Sequence, residues 1–260
     1  MLLEDLAYGT HPRQVLDLFL PERPSPRLFV FIHGGGWRGG DKGHYRALGE
    51  LLSGFGYAVA LPNHRLAPEH PFPAPAEDVA AAIACVDRYS GESGVRADGM
   101  FLGGHSSGAH LAALLAVHPS LLPGADIAGV ISISGVYDLM AYQSGSRGAA
   151  VPGPAPTNEA GEYLEPVFGA DRSRWSAASP ISYVERGRAL PPFFLAHAEF
   201  DYPGAGEQAE RFAARVEAAG GNAQVVDVPG RDHVTILTGV RSLLDPLALG
   251  LALFLRTASR

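Results

Sequence analysis

Residues Met100 to His118 read MFLGGHSSGAHLAALLAVH. A short apolar run gives way to glycines and then to a stretch of helix-forming residues, the pattern of a strand, a sharp turn and a helix. At the turn, Gly104-His105-Ser106-Ser107-Gly108 is a G-x-S-x-G with Ser106 at its centre. A serine raised on so tight a turn needs neighbours without side chains two residues away on either side, because strand and helix pass close together. Moving the frame to Ser107 would put His105 and Ala109 at those positions and crowd the turn. Ser106 is therefore the expected nucleophile. Ser107 is expected to contribute its backbone N–H, at a helix N-terminus where donors are unsatisfied and the dipole favours negative charge.

The segments around this turn repeat its rhythm. Apolar runs at 14–19, 27–32, 57–62, 100–105, 129–134, 193–198 and 223–228 alternate with helical patterns near 43–55, 75–89, 107–118, 206–220 and 240–257. Several of the runs are continuous rather than alternating, as expected of strands buried on both faces. The expected fold is α/β, a mostly parallel central sheet with helices on both faces. The run at 14–19 alternates and suits an antiparallel edge strand. Residues 143–162, QSGSRGAAVPGPAPTNEAGE, have no strand or helix period. They read as an insertion, either a surface loop or a lid spanning 139–165, within one domain covering 1–260.

Composition narrows the class. The chain has 260 residues, 47% of them apolar, and a net charge of −7, which argues against nucleic acid as a partner. No apolar stretch approaches the ~20 residues of a membrane span, and MLLEDLAYGTHP does not read as a secretory signal. Cys85 is the single cysteine, which excludes an intramolecular disulfide. Composition does not say what the ligand is; the expectation is a cytoplasmic protein with no membrane or nucleic-acid partner, no cofactor and no metal, and a homodimer is compatible with it.

A serine nucleophile needs a stabilised oxyanion, a general base and an acid to orient that base. After the run at 27–32 comes His33-Gly34-Gly35-Gly36-Trp37, whose glycines let backbone N–H groups converge with no Cβ in the way of a substrate. A phosphate-binding reading fails: Gly35 to Lys42 lacks the Lys-Ser/Thr pair, and no G-x-G-x-x-G follows a strand. His233 follows the last strand and is the expected base, while His105 and His110 read as packing residues. For the acid, Asp201 ends the penultimate strand and Asp138 is its rival; Asp232 is too close to His233 to orient it.

HGGGW (33–37), RLAPEHPFPAPAEDV (65–79), GHSSGAH (104–110), SGVYDL (134–139), AEFD (198–201) and RDH (231–233) together resemble the α/β-hydrolase superfamily. More narrowly they resemble its hormone-sensitive-lipase-like esterases and the compact relatives that include kynurenine-formamidase-like amidases. The resemblance implies an α/β-hydrolase fold with a minimal cap and catalytic Ser106, Asp201 and His233. It implies oxyanion donors at Gly35, Gly36 and Ser107, with Gly34, Trp37, His105 and Tyr137 around a small-molecule ester substrate. His64, Ser107 and Ala198 depart from the family's usual tyrosine, alanine and glycine. His33 comes too early for a long N-terminal cap, so the expected substrate carries a small, aromatic or polymer-borne acyl group rather than a long lipid chain. Arylformamide hydrolysis is the alternative, and a non-hydrolytic receptor or lyase a more distant one. RLAPEHPFPA reads as scaffold, with Arg65 expected to pair with Glu69.

Overall fold

The apolar runs become strands of one sheet in the computed structural model, which describes residues 1–22, 27–93, 95–145, 160–240, 242 and 244–258. The strands are β1 (Leu2–Ala7), β2 (Val15–Phe19), β3 (Arg27–Ile32), β4 (Ala58–Pro62), β5 (Arg96–His105), β6 (Ile127–Ile133), β7 (Phe193–Phe200) and β8 (Ala223–Asp232). Their order is β1-β2-β4-β3-β5-β6-β7-β8. All pairings from β4 to β8 are parallel, whereas β2 is antiparallel to both neighbours. The run at 14–19 is therefore not the edge strand. That place belongs to β1, whose charged LLEDLA gave little strand signal and whose mostly half-buried or exposed residues suit an edge.

The helices are α1 (Arg46–Gly54), α2 (Ala74–Ser93), α3 (Ser107–Val117), α4 (Leu139–Gly145), α5 (Ala160–Phe168), α6 (Arg172–Ala178), α7 (Ala205–Ala218), α8 (Thr235–Thr238) and α9 (Pro246–Ala258). Successive strand residues point to opposite faces, so β3 feeds two cores. Leu28, Val30 and Ile32 pack with α2, α3 and α7; Phe29 and Phe31 pack with α1 and α9. The helix α3 is apolar all round because it is buried nearly all round.

The insertion differs from its expected structureless form. Its two ends are helical, α4 and the start of α5, while 146–159, the middle of the expected lid, lie outside the described residues. These helices and α6 are seven to nine residues long, too short to show a period. Tertiary packing makes them, through fully buried Leu164, Phe168 and Trp175.

Two buried ion pairs hold the loops that follow β3 and β4. Lys42 is buried and binds Asp17 of β2 and Asp5 of β1, anchoring the segment after HGGGW. Arg65 pairs with Asp78 rather than Glu69, because α2 carries Asp78 under the RLAPEHP loop. Asp78 is 1% exposed and accepts from the Arg65 backbone N–H, its guanidinium at 2.7 Å and Gln14 Nε2 at 2.8 Å. Burial alone would raise its pKa, but these donors outweigh it and hold the carboxyl below its ordinary value.

Asp78→Ala is expected to lower the unfolding free energy by roughly 2–3 kcal/mol in urea titrations, since it strands buried donors. A folded pKa below the unfolded one gives stability that is present above the unfolded value and lost as pH falls through the folded one. The gap between wild type and variant should therefore persist at neutral pH and close only below about pH 4.

Candidate active site

Ser106 sits between β5 and α3 at φ 57° and ψ −121°, a backbone conformation a residue with a side chain rarely adopts. Its N–H donates to the Ile133 carbonyl at 2.8 Å, and its carbonyl accepts from His110 N–H at 3.1 Å, which pins the turn from both sides. A Cβ on Gly104 would lie 2.3 Å from the Gly108 carbonyl carbon, and one on Gly108 would lie 2.1 Å from the Ile32 carbonyl oxygen. Both glycines are needed because backbone passes where a side chain would be.

Ser106, His233 and Asp201 come together. His233 Nε2 is 2.9 Å from Ser106 Oγ, and His233 Nδ1 is 2.6 Å from Asp201 Oδ1. Nδ1–H donates to the carboxylate, which leaves Nε2 as an acceptor facing the serine hydroxyl. Asp201 also accepts from the N–H groups of Ala198 at 3.1 Å and Tyr202 at 2.8 Å, and from the Ser134 hydroxyl. Burial would raise its pKa, but His233, Ser134 and the Ala198 amide hold it below the usual carboxylate range. The rivals are occupied elsewhere. Asp138 caps α4 and pairs with Arg211 at 2.9 Å, and Asp232 accepts from the Val234 and Thr235 amides.

The glycine loop is braced by side chains that the sequence reading passed over. His33 donates from Nδ1 to the Gly34 carbonyl at 2.9 Å and accepts on Nε2 from Arg13 at 3.2 Å. Burial, reinforced by the stacked His64 ring 4.3 Å away, lowers its pKa to about 3, so it stays neutral. Gly34 N–H donates to Tyr45 Oη at 3.2 Å, so this amide is already engaged and Gly34 contributes no free donor. With the Gly34 carbonyl held toward His33, peptide planarity turns the Gly35 N–H to the opposite side. Gly35 and Gly36 both adopt positive φ, 133° and 61°, and both line the cavity. Ser107 is buried, and its hydroxyl has no hydrogen-bond partner among the described residues.

Tyr45 and His105 join this loop to His233. His105 accepts on Nδ1 from Tyr45 Oη at 3.2 Å and donates from Nε2 to the His233 carbonyl at 2.8 Å. Burial, then the neighbouring His233, lowers the His105 pKa to about 4, and the neutral ring keeps both bonds. His105 therefore lines the cavity with no nitrogen left for substrate, a positioning residue instead of the expected substrate contact. Tyr137 is also corrected. It is 1% exposed, hydrogen-bonds Ser132 at 2.7 Å, stacks on Phe212 and does not line the cavity. The tyrosines that do are Tyr45, Tyr142, Tyr163 and Tyr202. Trp37 also lines it, its indole N–H donating to fully buried His110 at 3.1 Å, which makes His110 the packing residue expected.

Around Ser106 opens a cavity of about 870 Å³. Among the described residues no Asp, Glu, Lys or Arg lines it. The site can therefore polarise a hydroxyl and hold a neutral, largely apolar molecule against it.

A family model of the alpha/beta hydrolase fold matches residues 29–237. Among curated relatives, esterase LipC of Mycobacterium tuberculosis is 31% identical over 97% of this chain and 64% of its own length. A probable isoprenylcysteine alpha-carbonyl methylesterase of Arabidopsis thaliana is 27% identical over 95% of this chain and 52% of its own. The chain thus spans under two thirds of these two relatives. Kynurenine formamidase of Danio rerio is 28% identical, covering 90% of this chain and 75% of that protein. Among solved structures, esterase B from Lactobacillus Rhamnosis superposes with TM-score 0.80 at 22% identity, covering 100% of this chain and 85% of that one.

The elbow makes a direct test of its own sterics. Gly108→Ala is expected to lose about 2–3 kcal/mol of stability in thermal or urea unfolding, because backbone must move to admit the methyl. Gly54→Ala, where the added carbon meets nothing within 4 Å, is expected to be neutral or stabilising.

Proposed function

The chain belongs to the alpha/beta hydrolase fold family, and we propose that it is a serine hydrolase cleaving a carboxylic ester through an acyl-enzyme. The observation that carries this is the hydrogen-bonded series from Ser106 Oγ through His233 to Asp201. His233 Nε2 takes the serine proton as Oγ attacks the ester carbonyl, and Asp201 holds the imidazole in the required tautomer and balances its charge. The backbone N–H groups of Gly35, Gly36 and Ser107 are the proposed oxyanion donors, each worth about 3 kcal/mol to the transition state. His233 then returns the proton to the leaving alcohol, and water releases the acyl group by the same steps in reverse. This chemistry needs neither metal nor cofactor.

Trp37, Tyr142, Tyr163 and Tyr202 give one end of the cavity flat apolar walls, which suit a small or aromatic acyl group. The cavity lining favours an ester over the kynurenine formamide suggested by the Danio rerio relative. A kynurenine carries a charged amino-acid head, and no ionic side chain among the described residues lines the site to meet it.

The test is labelling by a fluorophosphonate probe together with p-nitrophenyl acetate turnover. Ser106→Ala should lose both. Ser107→Ala should keep most of each, because its amide and not its hydroxyl is used. Equal loss in the two variants with intact folding would overturn the choice of nucleophile. Turnover of N-formylkynurenine above the ester, by kcat/KM, would move the assignment to the amidase. Tyr45→Phe should lower ester kcat/KM roughly 5- to 10-fold with little change in Tm, since it frees Gly34 N–H and His105 Nδ1 without unpacking the ring.

A further inference from the structure

Arg13 lies between β1 and β2, distant in sequence from every residue assigned to the site, yet its guanidinium meets the glycine loop. Because β2 runs antiparallel to β4, its start lies beside the ends of β4 and β3, where that loop begins. One terminal nitrogen, Nη2, donates to His33 Nε2 at 3.2 Å and to the Gly40 carbonyl at 2.9 Å, which uses both of its hydrogens. Nε donates to the His64 carbonyl at 2.7 Å. Arg13 thus grips both ends of the segment 33–40. Those ends are in contact, since a Cβ on Gly40 would lie 1.9 Å from the Gly34 carbonyl oxygen and 2.6 Å from His33 Nδ1.

A guanidinium donates and never accepts. The His33 Nε2 that faces it must therefore present its lone pair, and the proton of the neutral ring then sits on Nδ1. That Nδ1–H holds the Gly34 carbonyl at 2.9 Å. In the other tautomer two lone pairs would face each other at this distance and drive the Gly34–Gly35 peptide to turn over. Glycine on both sides removes the steric resistance that side chains would give to such a turn. The turn would bring the Gly34 carbonyl to the side that the Gly35 N–H now faces, replacing a donor to the oxyanion with an acceptor. The stacked His64 ring cannot set the tautomer. Its Nδ1 meets the Arg65 carbonyl, its Nε2 has no partner among the described residues, and its contact with His33 is face to face.

We propose that Arg13 is a positioning residue for the hydrolysis: it locks the His33 tautomer, and through it the Gly34–Gly35 peptide of the oxyanion hole. The proposal rests on the serine-ester reading above and extends it to the loop between β1 and β2.

Nitrogen NMR of the histidine rings reads the lock directly. Wild type should show His33 protonated on Nδ1, and Arg13→Met should move that proton at least in part to Nε2. In the same variant kcat/KM for p-nitrophenyl acetate should fall about tenfold or more, toward the ~100-fold cost of one lost oxyanion donor. Inhibition by trifluoroacetophenone, which adds Ser106 Oγ to give a tetrahedral oxyanion, should weaken by a similar factor. Binding of acetophenone, which stays planar, should change less than about twofold. Arg13→Gln, whose amide can donate or accept, also releases the tautomer and serves if the methionine variant fails to fold. Arg13→Lys, which donates without accepting, should stay within about fivefold of wild type. A wild-type His33 protonated on Nε2 would overturn the proposal, as would an unchanged tautomer and trifluoroketone affinity in Arg13→Met. Equal weakening of both ketones would also overturn it, by showing a general loosening of the site. A tautomer released in Arg13→Met, with no ester turnover or probe labelling of wild type, would instead overturn the serine-ester reading and leave the lock on His33 standing.

Discussion

The structure depends on the contact of backbone with backbone at the elbow. Gly104 and Gly108 let β5, α3 and the end of β3 approach more closely than any side chain would allow. That approach holds Ser106 at positive φ, where it lines the cavity and its hydroxyl meets His233. Everything around it serves to keep this conformation. The Ile133 carbonyl takes the Ser106 N–H, α3 is buried on nearly all sides, and β3 delivers HGGGW against the same turn.

A second level of support comes from neutral histidines. His33, His105 and His110 are each buried, each pushed to low pKa by that burial, and each donates with one nitrogen while accepting with the other. An imidazole that must stay neutral is a two-ended strut of fixed length. His33 sets the Gly34 peptide, His105 links Tyr45 to the His233 carbonyl, and His110 ties Trp37 to the Ala178 carbonyl. Glycine loop, His233 loop and cavity wall are thus joined by rings whose pKa burial holds well below neutrality.

Much of this was legible along the chain. The inner strands, α3 and α7 showed themselves because each is a long run with one periodicity, and the elbow showed itself because only glycine tolerates its geometry. Asp201 and His233 were placed by chain order relative to the strands, and the structure brings both to Ser106. Less legible was whatever depends on a partner distant in sequence. Helices α4 to α6 are too short to carry a pattern and exist through Phe168 and Trp175. Tyr137 and Tyr142 lie five residues apart, yet one is core and the other cavity wall, since α4 turns the chain between them. Arg65 meets Asp78 rather than Glu69 because α2 folds back beneath its loop.

Ser106 as the centre of a tight turn, a glycine loop after β3 and a parallel sheet with helices on both faces follow from the sequence by itself. They follow because steric exclusion and period are local properties of a chain. Tertiary structure alone decided which tyrosines face the cavity, that Gly34 N–H is already engaged, and that Arg13 reaches His33. Those depend on which surfaces meet, and Arg13 meets the glycine loop only because β2 pairs antiparallel with β4 and so starts beside the end of β3.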